Sequence, residues 1–237
     1  MAHYSLVVVG LNIHEQMAPF LIHSESEPYP MYLQEFEIEK LEREYSVSRN
    51  SIPEFTKCLR DFMKLESGYN DDGYYYISTL NPKGKCKQYE IGGRWTGCLS
   101  VKRTLSDQEI FNLRSLEDRL KNGIRLQSVE GNPEESLVAK PTESFALHRQ
   151  FTVAQKKDID FAKIEMYYNP NLRNAKYGNF LAYAILKDYQ WYDKGRLGVH
   201  PYPGEVEKTD RIWIGEWTEI LDSVDEEEFL TILDCEI

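Results

Sequence analysis

The amino-acid sequence predicts an α+β protein in which helices pack on a single mixed or antiparallel sheet. Three observations predict it. Apolar and β-branched runs of strand length stand near both ends, at residues 4–9 and 229–237. Apolar stripes at helical spacing lie between them, and no regular alternation of strand, helix and strand joins the two. The end strands are expected to pair at the middle of the sheet, as in a ferredoxin-like core. No internal repeat or low-complexity tract divides the chain, so residues 1–237 are assigned to one domain.

Residues 4–9 end at Gly10 and have the β-branched content of a buried central strand. Asn12 is placed to cap a short turn over 13–17, which Pro19 follows. Residues 31–38 alternate imperfectly, with Tyr32, Phe36 and Ile38 apolar, and predict an edge strand; 39–45 predict a short helix. Pro53 in a first turn, then Phe55, Leu59, Phe62 and Leu65, predict a helix that runs to Gly68 and lays its stripe on the sheet. Asn70-Asp71-Asp72-Gly73 is turn chemistry, and 74–77 suit a strand. A further strand is expected at 95–101. Ser106 and Glu109 form a capping box ahead of Ile110, Leu113, Leu116 and Leu120, and Asn122-Gly123 closes this helix of about four turns.

Residues 127–144 contain Gly131, Pro133 and Pro141 and predict a surface connection. Phe161, Ile164 and Tyr168 then suit a short helix, and 181–186 with 191–192 read as a hairpin. Ile212, Trp213, Ile214, Trp217, Ile220 and Leu221 form a helical stripe, and 229–237 the last strand.

Composition bounds the function. A chain of 237 residues with 41% hydrophobic content folds around a core rather than staying disordered. Its 28 Lys and Arg against 39 Asp and Glu give a net charge of −11, which disfavours general nucleic-acid binding and docking on anionic membranes. Cys58, Cys86, Cys98 and Cys235 form no C-x-x-C pair, and the start carries no signal-like apolar segment, so four reduced thiols in a cytoplasm are expected. The apolar run at 6–9 is far shorter than a membrane span.

The segment least like ordinary helix or strand is 81–95. It places Asn81, Pro82, Lys83, Lys85, Lys87, Tyr89, Gly92, Gly93, Arg94 and Trp95 within fifteen residues. A turn, spaced cations, a glycine hinge and two aromatics are the chemistry for holding an anion that carries a planar group. Asn81, Lys85, Tyr89, Arg94 and Trp95 are the candidate ligand-binding residues, with Arg94 and Lys85 on phosphate and Tyr89 or Trp95 stacked on a base. The rival roles are structural: an internal ion pair for Arg94, a strand start for Trp95, backbone geometry for the two glycines. The segment 167–177 and the set Trp191, Tyr192 and Arg196 offer similar amide, aromatic and cationic groups.

Catalytic motifs are missing. No H-E-x-x-H, C-x-x-C, G-x-S-x-G, Walker loop or G-x-G-x-x-G occurs, and His3, His14, His23, His148 and His200 are dispersed. Asp158 and Asp160 are spaced to share one face of a strand and hold a divalent metal, or else to cap a helix. No catalytic residue, metal site or cofactor is assigned.

Four patches together resemble a family of small, mostly uncharacterised proteins of bacteriophages and prophages. They are Glu15-Gln16-Met17-Ala18-Pro19-Phe20 after the first strand, the Asn81-Pro82-x-x-Lys85 loop running into Tyr89-x-Ile91-Gly92-Gly93-Arg94-Trp95, Asp158-Ile159-Asp160-Phe161, and Leu233-Asp234-Cys235-Glu236-Ile237. The chain departs from that family at Lys85-Cys86-Lys87-Gln88-Tyr89, where Lys-Trp-Asp-Trp-Tyr is usual, and at Glu236, where histidine is usual. The resemblance implies a role against host defence in the host cytoplasm. The expected function is therefore non-catalytic sequestration of a small anionic, nucleotide-derived immune signal. The alternatives are an acidic protein that inhibits a host defence factor, and a metal-dependent nucleotide hydrolase built on Asp158 and Asp160. The expected partners are a nucleotide-like anion or a host defence protein, with a homo-oligomer compatible with either.

Overall fold

A computed structural model of the chain describes residues 2–24, 26–123, 149–164, 166, 169–172, 174–195 and 207–237. At its centre β1 (His3–Val9) pairs antiparallel with the last strand, which we number β11 (Phe229–Glu236), along its whole length, Leu6 opposite Leu233. Both strands are buried on both faces, and their apolar runs are interrupted only by buried polar residues, Ser5 in β1 and Thr231, Asp234 and Glu236 in β11. On its other edge β1 runs parallel to β9 (Ala184–Lys187), which forms a hairpin with β10 (Gln190–Asp193). The outer edge of β11 is shared by β5 (Gln88–Ile91), which meets residues 233–236, and β8 (Val153–Gln155), which meets residues 229–231. The sheet order is β10-β9-β1-β11-β5, with β8 beside β11.

Alternation divides this sheet into two cores. Val7, Val9, Ile185, Leu230 and Ile232 face α5 (Asp210–Asp222), whose Trp213 and Trp217 are fully buried. An indole buries roughly 200 Å², on the order of 5 kcal/mol of transfer free energy each, so α5 is a principal source of stability. Thr209 caps this helix by accepting from the Ile212 N–H at 3.4 Å. The opposite face, with Tyr4, Leu6, Val8, Leu233 and Cys235, packs on Ile13 and Met17 of α1 (Ile13–Met17) and on Leu116 and Leu120 of α4 (Asp107–Lys121). The predicted capping box holds α4: the Ser106 N–H donates to Glu109 Oε2 at 2.7 Å and the Glu109 N–H to Ser106 Oγ at 3.3 Å.

Between α1 and β5 the chain builds a second, smaller unit. The strands β2 (Tyr29–Tyr32), β4 (Gly73–Ser78) and β3 (Ser67–Asn70) form an antiparallel sheet in the order β2-β4-β3, with α2 (Glu35–Tyr45) and α3 (Ile52–Met63) beside it. Leu41, Phe55, Leu59 and Tyr74 are its core. A two-stranded pair, β6 (Leu99–Ser100) with β7 (Gln150–Phe151), completes the described strands.

The α+β class and the central pairing of the end strands hold. Four expectations change. The strands occupy three sheets rather than one, because Tyr74 and its neighbours pair with β2 and β3 and form their own core. The ferredoxin-like order is not formed: that layout sets the first strand beside the second strand of the following hairpin, whereas β1 borders β9, the first. The stretch 95–101 is a 3-10 turn, Gly93–Trp95, followed only by the two-residue β6. The helix predicted to run to Gly68 stops at Met63, where Lys64 takes a left-handed φ of 57° and Ser67–Asn70 turns into β3. The connection at 127–144 lies outside the described residues. Among the described residues, no helix is long and apolar enough to cross a membrane.

Candidate functional site

The register of β5 on β11 decides which residues of the 81–95 motif share a face, because side chains alternate along a strand. Tyr89 stands opposite Cys235 and Ile91 opposite Leu233, on the face that carries Tyr4 and Leu6. Glu90 stands opposite Asp234, on the other face. Arg94 belongs to this second face: its backbone N–H donates to Asp234 Oδ2 at 3.1 Å, and its Nε lies 3.9 Å from the same oxygen. Trp95 packs on that face's core. The motif therefore contains a strand, and the sheet separates Tyr89 from Arg94 and Trp95.

The other two candidates are engaged locally. Asn81 Nδ2 donates to the carbonyls of Pro19 and Leu21 at 2.8 and 3.0 Å, and its Oδ1 accepts from the Lys83 N–H at 3.0 Å. It is the brace of a turn. Lys85 Nζ lies 3.3 Å from Asp193 Oδ2, which also accepts from Trp191 Nε1. The Tyr89 hydroxyl is hydrogen-bonded to His14 Nδ1, and burial pushes its phenol up to about 12. The five residues thus do not converge on one pocket.

The glycine pair has a definite structural task. Gly93 has a φ of +49°, and a Cβ there would stand 2.4 Å from Asp234 Cβ; Gly92, at +82°, would meet Thr96 Oγ1 at 2.6 Å. Asp234 is buried and lies 2.8 Å, through Oδ1, from His3 Nδ1. The Gly-Gly-Arg turn joins β5 to the side chain of the terminal strand, and Arg94, 62% exposed, is one of three exposed motif cations with Lys83 and Lys87.

Asp158 and Asp160 fall in successive 3-10 turns, Lys156–Asp158 and Phe161–Lys163 with its preceding residue, rather than on a strand. Asp160 is paired with Lys163, and burial raises the Asp158 carboxyl above its usual range. Among the described residues, no group of three or more His, Cys, Asp or Glu is arranged to hold a metal ion. In the 167–177 segment, Tyr167, Tyr168 and Arg173 lie outside the described residues, and Arg196 does too. Asn169, Lys176 and Tyr177 are tied to α5 through Asp210 and Asp222, at 2.6, 2.6 and 2.9 Å.

The described residues include two open clefts of note. One, of about 440 Å³, lies at the carboxyl ends of β1 and β9 and is lined by Gly10, Gln16, Asp188, Tyr189, Asp225 and Glu228 among others. The other, of about 600 Å³, is lined by His23, Ser24, Ser26, Glu27 and Thr79. Neither includes a motif candidate.

Two features were not legible as sites. Cys86 and Cys235 come together, fully buried, in one apolar cluster with Tyr4. Among the described residues the large hydrophobic side chains left exposed are also unevenly placed: Phe36, Tyr45, Ile52, Phe62, Leu65 and Tyr69 all belong to the small unit, against Tyr189 and Ile212 elsewhere. Phe62 and Leu65 continue the Phe55 and Leu59 stripe, so spacing alone assigned them to the core. Comparison of the chain with protein-family models, curated proteins and solved structures finds no match.

Proposed function

We propose that the protein is a non-catalytic binding protein that occupies a cationic surface of a partner protein through its small unit. The observation that carries this reading is the concentration of six exposed large hydrophobic side chains on residues 36–69. Exposed aromatics gathered on one unit mark interaction surfaces, and interface centres are enriched in Tyr and Phe. Tyr45 and Phe62 are in edge contact with ring centroids 5.7 Å apart, so these two exposed rings form one continuous apolar patch.

Its charge favours a basic partner. α2 carries Glu35, Glu37, Glu39, Glu42 and Glu44; Arg49 neutralises Glu35 and Glu42, while Glu39 and Glu44 are exposed with no ion-pair partner among the described residues. The whole chain adds a field of −11. Such a field steers association with a cationic surface and weakens with salt. The resemblance to phage proteins makes a host defence factor the fitting partner class. Joint use of Tyr89 and Arg94 by a nucleotide-like anion loses support because they stand on opposite sides of the sheet, and Trp95, on the Arg94 side, packs against that face's core.

The test compares two double variants in cross-linked recovery of one identified partner from host lysate, followed by titration with that purified partner. Tyr45→Ser with Phe62→Ser is expected to weaken binding tenfold or more, with affinity falling steeply as salt rises. Tyr189→Ser with Ile212→Ser is expected to leave it unchanged. Equal binding by both variants would refute the docking face. Micromolar binding of cyclic dinucleotides or ADP-ribose in calorimetry, abolished by Arg94→Ala, would establish sequestration instead.

A further inference from the structure

We propose that Cys86 and Cys235 are a redox-active dithiol, a site of reversible oxidation to an intramolecular disulfide by a peroxide. The two residues are distant in sequence but are brought together by three local ties. Cys235 is the register partner of both Tyr4 and Tyr89. The Tyr4 hydroxyl donates to the Lys85 carbonyl at 2.9 Å, immediately before Cys86. The Lys87 N–H donates to the Glu236 carbonyl at 2.8 Å, so the residues after each cysteine are also bound together. Both side chains have no exposed surface and lie in one apolar cluster, where the Cys86 thiol donates to the Gln88 carbonyl at 2.7 Å.

The pair is asymmetric, as a nucleophile and a resolving thiol need to be. The neighbouring Cys235 side chain holds the Cys86 thiol below its ordinary range, while burial pushes Cys235 well above it. The other two cysteines differ: Cys58 and Cys98 are half-buried, and burial raises both.

With hydrogen peroxide as the oxidant, the Cys86 sulfur attacks one peroxide oxygen. The O–O bond breaks, the departing hydroxide leaves as water with the Cys86 proton, and Cys86 becomes a sulfenic acid. The Cys235 sulfur then attacks Cys86, the S–O bond breaks, and the second hydroxide leaves as water with the Cys235 proton. Two thiols lose two electrons and two protons, and one peroxide becomes two waters. Access comes from local opening of the segment that precedes β5, where the Cys86 N–H donates to the Phe20 carbonyl at 3.2 Å and the Cys86 carbonyl accepts from the Ile22 N–H at 2.9 Å, outside the ladder of the central sheet. The product would tie that segment to the last strand of the central pair.

The experiment treats the full chain with hydrogen peroxide, then counts thiols under denaturing conditions and maps peptides. The expected result is a fall from four free thiols to two, the loss of two hydrogens in mass, a Cys86–Cys235 linked peptide, and full reversal by dithiothreitol. The Cys58→Ser/Cys98→Ser variant, which leaves the buried pair intact, should form the same link and show a raised Tm on oxidation. The proposal is overturned if the thiols survive exposure that oxidises a free dithiol peptide. It is equally overturned if Cys86 proceeds to sulfinic acid without a link, or if the link joins other cysteines.

Discussion

At the scale of single residues, the glycine pair shows why the 81–95 motif is so unlike its surroundings. Gly93 is required twice, by a left-handed φ of +49° and by the approach of Asp234 to within 2.4 Å of where a Cβ would stand. Gly93→Ala is expected to destabilise the protein by about 1–3 kcal/mol, read as a lower urea midpoint, because neither Cβ has a flexible end that moves aside. Gly73, at +120° with nothing within 4 Å, is the matched control and should lose less. Composition made Gly92 and Gly93 visible as a hinge. It did not show that the hinge is aimed at Asp234, since that contact spans 140 positions of sequence.

At the scale of elements, α4 is the clearest case of sequence dictating structure. Its stripe, its box and its closing glycine act within a few residues of one another, so no distant contact is needed to predict them. Ser106→Ala should cost about 1 kcal/mol in chemical denaturation. Hydrogen bonds from Ser106 hold the Glu109 carboxyl below its usual range. The sign follows: the stabilisation from Glu109 is present above its unfolded pKa, about 4.3, and is lost as pH falls through the lower folded value. An acid titration of Ser106→Ala should therefore show its deficit narrow as pH drops without closing, because the cap that Ser106 Oγ makes by accepting from the Glu109 N–H does not titrate. The α3 stripe misled in the opposite way, because Phe62 and Leu65 have core spacing but no partner layer to cover them.

At the scale of the whole molecule, buried tyrosines couple the fold to alkaline pH. Burial pushes Tyr76, in the small unit, and Tyr89, on the central sheet, up to about 12, and Tyr4 of the central sheet higher still. Each folded pKa lies above the unfolded value of about 10, so stability is fully present below pH ~10 and is lost as pH rises through the folded value. Urea midpoints should hold to pH ~10 and then fall, and Tyr76→Phe should reduce the slope of that fall. A flat profile across this range would show these phenols to be solvated. By itself the sequence determined the α+β class, the meeting of the first and last strands, the box on α4 and the hairpin before α5, because period, caps and turns act locally. Only the tertiary structure decided that the strands divide into three sheets, that Tyr89 and Arg94 stand on opposite faces, that Cys86 meets Cys235, and that Tyr45 and Phe62 stay uncovered. Those outcomes depend on register and packing between segments far apart in the chain, where a one-residue shift exchanges every inward side chain for an outward one.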